Sequence, residues 1–151
     1  RSEGAERQLP ESHVLSCRYG KATAMEADRL VLLRGDPVAR IRRVRELGGA
    51  PAIVETIIVS EALFPEIGRD GDLPNTLYEL YERRYEVTVA RAEERLRATS
   101  ADADTASLLG IEAGCPLLEI DRTAFALDGA PVEWRLSLCE TGAHHYRVEL
   151  V

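Results

Sequence analysis

Four arginines lie within six consecutive positions of this acidic sequence: Arg40, Arg42, Arg43 and Arg45. A guanidinium is permanently charged and presents its N–H donors in a planar fork, so two of them can hold a carboxylate or phosphate through bidentate hydrogen bonds. If the segment is a strand, its alternating side chains place Arg43 and Arg45 on one face, about 7 Å apart, and the other two on the opposite face. The spacing therefore favours a site for one small anion, with solvated, glutamate-paired arginines as the alternative.

The segment LPNTLYELYERRY, residues 73–85, predicts a helix whose start also suits an anion. Asp72 can cap this helix, and Pro74 fits its first turn, where a missing N–H costs nothing. Thr76 then lies where backbone N–H groups have no partner and the helix dipole is positive. Tyr78 lies off the apolar stripe of the helix, so its phenol can turn toward the same place. Simple capping by Thr76 and a half-exposed ring are the alternatives.

The remaining elements must position these groups. Apolar alternation and turn residues predict strands at 13–19, 38–47, 50–60, 87–98, 115–127, 132–140 and 144–151, the last three forming a meander, and helices at 23–33, 73–85 and 100–109. Hairpin signals at Gly48-Gly49 and Asp128-Gly129 connect neighbouring strands, and no repeated strand–helix–strand crossover appears. The pattern predicts an α+β fold, with an antiparallel β-sheet flanked by helices.

Composition and charge argue against several classes of function. A chain of 151 residues fits one domain, and its net charge of −7 argues against a surface that binds nucleic acid. No apolar run approaches the ~20 residues needed to cross a bilayer. Cys17, Cys115 and Cys139 are odd in number and widely spaced, which predicts reduced thiols in a cytoplasmic protein with no metal and no cofactor. The polar residues 1–12, which lack an initiator Met, predict a flexible lead-in from a missing upstream segment.

Several motifs, in their order and spacing, resemble the UTRA domain, the C-terminal effector-binding domain of GntR-type transcription regulators of the HutC subfamily. They are RxR followed by GGAP and Glu55, DLPNTLYELYERRYEVTV, the pattern ADxxxAxLLGIxxGxPLLxIxR, and DGAPVEWRLSL. The resemblance covers about residues 13–150. It implies a chorismate-lyase-like fold for residues 13–151, a homodimer, and a small anionic metabolite, a sugar phosphate or carboxylate, as effector. It also implies DNA binding only through an N-terminal winged helix-turn-helix that this chain does not contain.

The resemblance further implies which side chains bind the effector. The implied site consists of Arg43, Arg45, Glu55, Thr76, Tyr78, Glu133 and Tyr146. The two arginines correspond to a pair that binds the anionic group, and Thr76 and Tyr78 fall in the family motif S-L-Y-E, with Thr in place of Ser. The other three fall where sugar-phosphate-binding members contact hydroxyl groups. The C-terminal TGAHHYRVE departs from the family's Arg-x-Asp-Arg-Tyr-like stretch.

The sequence leaves two other hypotheses open. In the first, a chorismate-lyase-like enzyme would use Glu55 and Glu133 as an acid/base pair, or His144 or His145 as a base. Against it, the sequence has no GxSxG, no HExxH and no Gly-rich phosphate loop, which favours a protein without catalytic activity. In the second, a purely structural domain would show a closed core, with both arginines of the anion pair bonded to glutamates of the same chain.

Overall fold

The computed structural model describes residues 11–150, and that range contains six strands and three helices. In chain order the elements are β1 (Glu11–Lys21), α1 (Ala24–Leu30), β2 (Pro37–Leu47), β3 (Ala50–Ser60), α2 (Leu77–Tyr85), β4 (Val89–Ser100), α3 (Ala103–Leu109), β5 (Pro116–Ala126) and β6 (Pro131–Glu140). None of the three helices in this range is both long enough and apolar enough to cross a membrane.

The six strands form one antiparallel sheet in the order β1-β2-β3-β6-β5-β4. Two three-stranded meanders are joined where β3 pairs with β6, so the last strand lies in the middle of the sheet. The turn between β2 and β3 is made by Gly48 and Gly49, both at positive φ, a conformation that glycine adopts without strain. The predicted α+β fold with an antiparallel sheet flanked by helices is confirmed.

Helices cover both faces of the sheet. On one face, called here the α2 face, helix α2 packs its Leu77, Leu80 and Tyr81 against Ile41 of β2 and Ile57 of β3. On the other, called the α1/α3 face, α1 covers one end of the strands and α3 covers the other. The buried residues beneath these two helices are Val38, Ile58 and Trp134 for α1, and Val44, Val54 and Leu117 for α3.

The helix predicted at 73–85 is shorter than expected, because it begins at Leu77. Asp72 does not cap it and instead accepts a hydrogen bond from Arg83 at 3.1 Å. The residue before the cap, Asn75, is held by the sheet: its side-chain oxygen accepts a hydrogen bond from the Ser12 amide at 3.0 Å. These tertiary contacts fix the backbone ahead of the helix in a non-helical conformation, which local propensity does not reveal.

Both ends of the chain differ from expectation. The strand predicted at 144–151 is wrong for the described residues, since 143–150 have no regular secondary structure and β6 already has a partner strand on each side. The predicted meander of the last three strands is wrong for the same reason. Of the predicted lead-in 1–12, Glu11 and Ser12 belong to β1, and residues 1–10 lie outside the described range.

The core beneath α2 supplies a test of the fold. Leu80 is fully buried in the cluster beneath α2, whereas Leu96 on β4 is about half exposed. Leu80→Ala leaves a cavity and is expected to lower the free energy of unfolding by about 2–5 kcal/mol, as buried leucines generally do. Leu96→Ala should cost about 0.5 kcal/mol or less. Urea unfolding of both variants measures the difference, and equal losses would contradict this packing.

Candidate functional site

The register of the sheet brings four arginines together on the α2 face. Arg43 and Arg45 come from β2, where Arg43 pairs with Glu55 of β3. Arg135 of β6 lies directly opposite Arg122 of β5. Like charges in a directly opposed cross-strand pair repel each other, so this arrangement requires compensating carboxylates.

Glu55 is the carboxylate that holds the β2 pair. Its Oε2 accepts a 2.7 Å hydrogen bond from Nε of Arg43, and its Oε1 lies 3.8 Å from Nη1 of Arg45. The Ser137 hydroxyl also donates to Oε1, at 3.3 Å. Burial alone would raise the pKa of Glu55, but attraction to Arg135 and Arg43 outweighs burial and holds the pKa below its ordinary value. Glu55 is therefore an ionised, fully engaged counter-charge.

A second carboxylate, Glu133, lies beneath the site. It is completely buried and accepts two 2.9 Å hydrogen bonds from Arg135 and one of 2.5 Å from the Tyr81 hydroxyl. Burial alone would lower the pKa of Arg135, but the charges of Glu133 and Glu55 raise it above its ordinary value. Tyr81 belongs to α2, so this network connects the helix to the arginines on the sheet.

Glu94 of β4 balances the remaining arginine. Its Oε2 accepts a 3.2 Å hydrogen bond from Nε of Arg122, and its Oε1 accepts one of 2.6 Å from the Tyr146 hydroxyl. The Tyr78 hydroxyl accepts a 3.3 Å hydrogen bond from Nη1 of Arg122, and its ring lies 5.3 Å from the Arg135 guanidinium. Tyr78 therefore contacts both members of the opposed arginine pair.

The start of α2 lies against the β2 arginines. Nη1 of Arg43 and Nη2 of Arg45 approach the Asn75 carbonyl oxygen at 3.1 and 3.5 Å. Thr76 is the N-cap residue, but its side chain makes no capping hydrogen bond and is exposed. The Thr76 hydroxyl and the first-turn amides of α2 therefore lie next to the Asn75 carbonyl, on which the two guanidiniums converge.

A cavity of about 170 Å³ opens on the α2 face among these charges. Its lining residues are Arg45, Ile53, Glu55, Glu94, Ile120, Arg122, Arg135, Ser137 and Cys139. Two guanidinium nitrogens, Nη2 of Arg43 and Nε of Arg45, are buried and have no hydrogen-bond partner among the described residues. Burial lowers the pKa of Arg45, and repulsion from Arg43, Arg135 and Arg122 adds to this effect against the attraction of Glu55. Both unpaired nitrogens would gain from a negatively charged partner.

An apolar cavity of about 150 Å³ adjoins the polar one and shares Ile53, Ile120 and Cys139 with it. Its other lining residues are Leu47, Ala52, Leu118, Glu140, Thr141, His144, His145 and Tyr146. Burial, reinforced by the charges of Glu55 and Glu94, raises the pKa of Cys139 to about 11. The thiol at the junction is therefore neutral at physiological pH and acts as apolar surface.

The site residues predicted from the sequence thus lie in different parts of this region. Arg45 and Glu55 line the polar cavity, Arg43 is bonded to Glu55, and Tyr146 lines the apolar cavity. Glu133 lies outside both linings, with its carboxylate engaged by Arg135 and Tyr81, so it is not free to contact a ligand hydroxyl.

Sequence reasoning missed three charged residues of the cavity: Glu94, Arg122 and Arg135. A signal was present, because Arg122 and Arg135 occur in apolar strand segments where a charged side chain is costly to bury. This signal locates the site only when the register of β5 and β6, which sets Arg122 opposite Arg135, is known.

The other two arginines of β2 are each paired with a carboxylate of a helix. Arg40 makes two 2.7 Å hydrogen bonds to Glu26 of α1, and Arg42 bonds Asp104 of α3 at 2.6 Å. They lie on the α1/α3 face, so the predicted division of the four arginines between two faces is confirmed.

The arginine network bears on both the enzyme and the structural alternatives. Glu55 and Glu133 both accept hydrogen bonds from arginine, so neither is placed as a free general base. The structural alternative requires both arginines to be bonded to glutamates and the core to be closed. Arg43 and Arg45 both contact Glu55, which meets the first condition. The second is not met, because a cavity opens beside them and two of their nitrogens lack partners among the described residues.

One group of side chains has the composition of a metal site. The ligand atoms of Glu11, His13 and Glu46 lie within 4.8 Å of one another at the exposed edge of the sheet. His13 Nε2 is 3.3 Å from a Glu46 carboxylate oxygen. A cross-strand contact between β1 and β2 accounts for this grouping, which lies apart from the cavities.

Residues 5–145 match the family model of the UTRA domain. The HTH-type transcriptional regulator Rv0792c of Mycobacterium tuberculosis is 34% identical over 128 residues, which cover 82% of this chain and 46% of that protein. The HTH-type transcriptional repressor NagR of Bacillus subtilis is 28% identical over 96 residues, covering 64% of this chain and 39% of the repressor. This chain therefore spans less than half the length of either regulator.

The fold of this chain is similar to that of a solved structure. A ligand-binding domain from Bordetella bronchiseptica, assigned to the GntR family of transcriptional regulators, has a TM-score of 0.91 and 33% sequence identity. The match covers 99% of this chain and 94% of that one.

The buried Glu55 yields a pH-dependent prediction. Glu55→Gln leaves Arg43 and Arg45 without their counter-charge and should lower the free energy of unfolding at pH 7 by about 3–5 kcal/mol. Because the pKa of Glu55 is lower in the folded than in the unfolded chain, its stabilising contribution is complete above about pH 4.3 and is lost as the pH falls through the folded-state value. The gap between wild type and variant should therefore narrow on acidification. Urea unfolding at a series of pH values measures this, and a constant gap would contradict an ionised Glu55.

Proposed function

Because the chain belongs to the UTRA domain family, the effector-binding domains of GntR-family transcription regulators, we propose that it senses a small anionic metabolite in the polar cavity of the α2 face. The effector is a carboxylate or a sugar phosphate. Its negative group binds Arg43 and Arg45 beside the start of α2.

One observation carries this proposal. Nη2 of Arg43 and Nε of Arg45 are buried without a hydrogen-bond partner, which is costly in a folded protein. Both arginines already contact Glu55 and the Asn75 carbonyl, so an acceptor on a bound ligand would complete their hydrogen bonding. A carboxylate or phosphate oxygen supplies acceptors and charge together, and the positive end of the α2 dipole favours it further.

The charge balance of the α2 face supports the same conclusion. Its four arginines face three carboxylates, those of Glu55, Glu94 and Glu133. One positive charge is left over in a region of low dielectric, where an anion is held more strongly than at an exposed surface.

Regulation requires that the effector distinguish two states of the protein. A 10–100-fold difference in affinity between two arrangements, about 1.4–2.7 kcal/mol, is enough to bias a DNA-binding equilibrium. We infer that DNA is bound by a winged helix-turn-helix outside this chain and that the protein acts in the cytoplasm as a homodimer, since two DNA half-sites call for two-fold symmetry.

Arg45→Ala tests the proposed anion site, with Arg42→Ala as its matched control. Arg42 lies on the same strand but bonds Asp104 on the opposite face. A saturating effector at a hundred times its Kd stabilises the folded chain by about 2.7 kcal/mol, and Arg45→Ala should abolish this gain while Arg42→Ala retains it. A thermal-shift screen with sugar phosphates, carboxylates and phosphonates measures it. Equal stabilisation of both variants would remove Arg45 from the site.

A sensor also returns its ligand unchanged. Prolonged incubation of the chain with the anion identified by the screen should leave the ligand's proton NMR spectrum as it was. Steady conversion to a product, lost in Arg45→Ala, would favour an enzyme over a sensor.

A further inference from the structure

The α2 face becomes more apolar along the strands toward Cys139 and Leu118, and Arg45 is the charged residue in their row. The register aligns Ile57, Arg135, Arg122 and Glu94 in one row across the sheet. The next row aligns Arg43, Glu55, Ser137, Ile120 and Leu96, and the one after it aligns Arg45, Ile53, Cys139 and Leu118. Rows on one face are about 7 Å apart, because side chains repeat every second residue. A ligand held at Arg45 therefore lies in the same row as Ile53, Cys139 and Leu118 and meets apolar side chains within about 7 Å.

The apolar cavity lies over this end of the face. Leu118 and Ile120 form part of its floor, together with Ala52 and Leu47. Its volume of about 150 Å³ is comparable to that of an engineered apolar cavity that binds benzene. It is therefore large enough for one aromatic ring or a short branched chain.

The segment that follows β6 forms part of the wall of this cavity. Thr141, His144, His145 and Tyr146 contribute to its lining. The segment is fixed at two points: the Glu140 carboxylate accepts hydrogen bonds from the Gly142 and Ala143 amides, and the Tyr146 hydroxyl donates to Glu94. Because Glu94 also lines the polar cavity, the Tyr146–Glu94 hydrogen bond joins the linings of the two cavities.

We propose that the effector is a monocarboxylate with an aromatic or branched apolar body, its carboxylate at Arg45 and its body in the apolar cavity. This inference rests on the proposed function and specifies the ligand class of the same site. Two features favour it over a sugar phosphate. Sugar hydroxyls against Leu118 and Ala52 would lose water without gaining a partner. The single surplus positive charge of the face matches one carboxylate, whereas a phosphate monoester carries nearly two negative charges.

Calorimetric titration of the 151-residue chain with three probes tests the ligand class. The probes are 3-phenylpropionate, propionate, which lacks the ring, and glucose 6-phosphate. We expect 3-phenylpropionate to bind at least tenfold more tightly than either of the others. Tighter binding of glucose 6-phosphate, or equal binding of the two carboxylates, would overturn the apolar body while leaving an anion sensor. Absence of binding by all three probes would count against both proposals.

Substitutions of residues that line the apolar cavity test where the phenyl ring of 3-phenylpropionate binds. Leu118→Asn should weaken 3-phenylpropionate binding at least tenfold and leave the affinity for propionate unchanged. Leu96→Asn is the matched control, since Leu96 lies on the same face but lines neither cavity, and it should bind like wild type. Leu47→Asn, at the partly exposed end of β2, gives a second variant if the Leu118 substitution lowers the unfolding temperature of the free chain. Unchanged affinity for 3-phenylpropionate in a folded floor variant would overturn the placement.

Discussion

The structure depends on how one half-buried sheet face accommodates four guanidinium groups. Arg122 and Arg135 lie directly opposite each other, and Arg43 and Arg45 follow on the neighbouring meander. Such a group is unstable without counter-charges, because unit charges at contact distance repel by several kcal/mol in a medium of reduced dielectric. Glu55, Glu94 and Glu133 are therefore interleaved among the arginines, each hydrogen-bonded to at least one of them. The network is nearly neutral, and its one surplus charge lies beside a cavity.

A network of this kind is better explained by function than by stability. Apolar residues of similar volume often stabilise a core as well as buried ion pairs do, because desolvation offsets the attraction between the charges. The α1/α3 face shows the contrast: Arg40 and Arg42 each bind one carboxylate, from α1 and α3, and these one-to-one pairs leave no charge over. On the α2 face the pairing is incomplete, and two buried nitrogens remain without partners. Strand β2 thus binds helices α1 and α3 on one face and presents unpaired guanidinium N–H groups on the other.

The sequence predicted what depends on local periodicity and missed what depends on register. The division of the β2 arginines between two faces follows from the two-residue repeat of a strand and was predicted correctly. The start of α2 was misplaced because Asn75 is held by Ser12, Arg43 and Arg45, which are distant in sequence. Arg122 and Arg135 were missed because their meeting requires β6 to insert between β3 and β5. The same insertion explains why the expected strand at 144–151 found no place beside β6.

The connection between the cavity and α2 follows from one residue. Glu133 binds Arg135, which lines the cavity, and Tyr81, which lies in the core of α2. Burial, with the nearby Glu133 charge, raises the pKa of Tyr81 well above its ordinary value, so the hydroxyl stays protonated and remains a donor to Glu133. An anion that draws Arg135 toward itself must either stretch its bonds to Glu133 or carry Glu133 and Tyr81 with it. Because Glu133 and Tyr81 are both buried, a shift of Arg135 under the proposed function would act on α2 through these bonds.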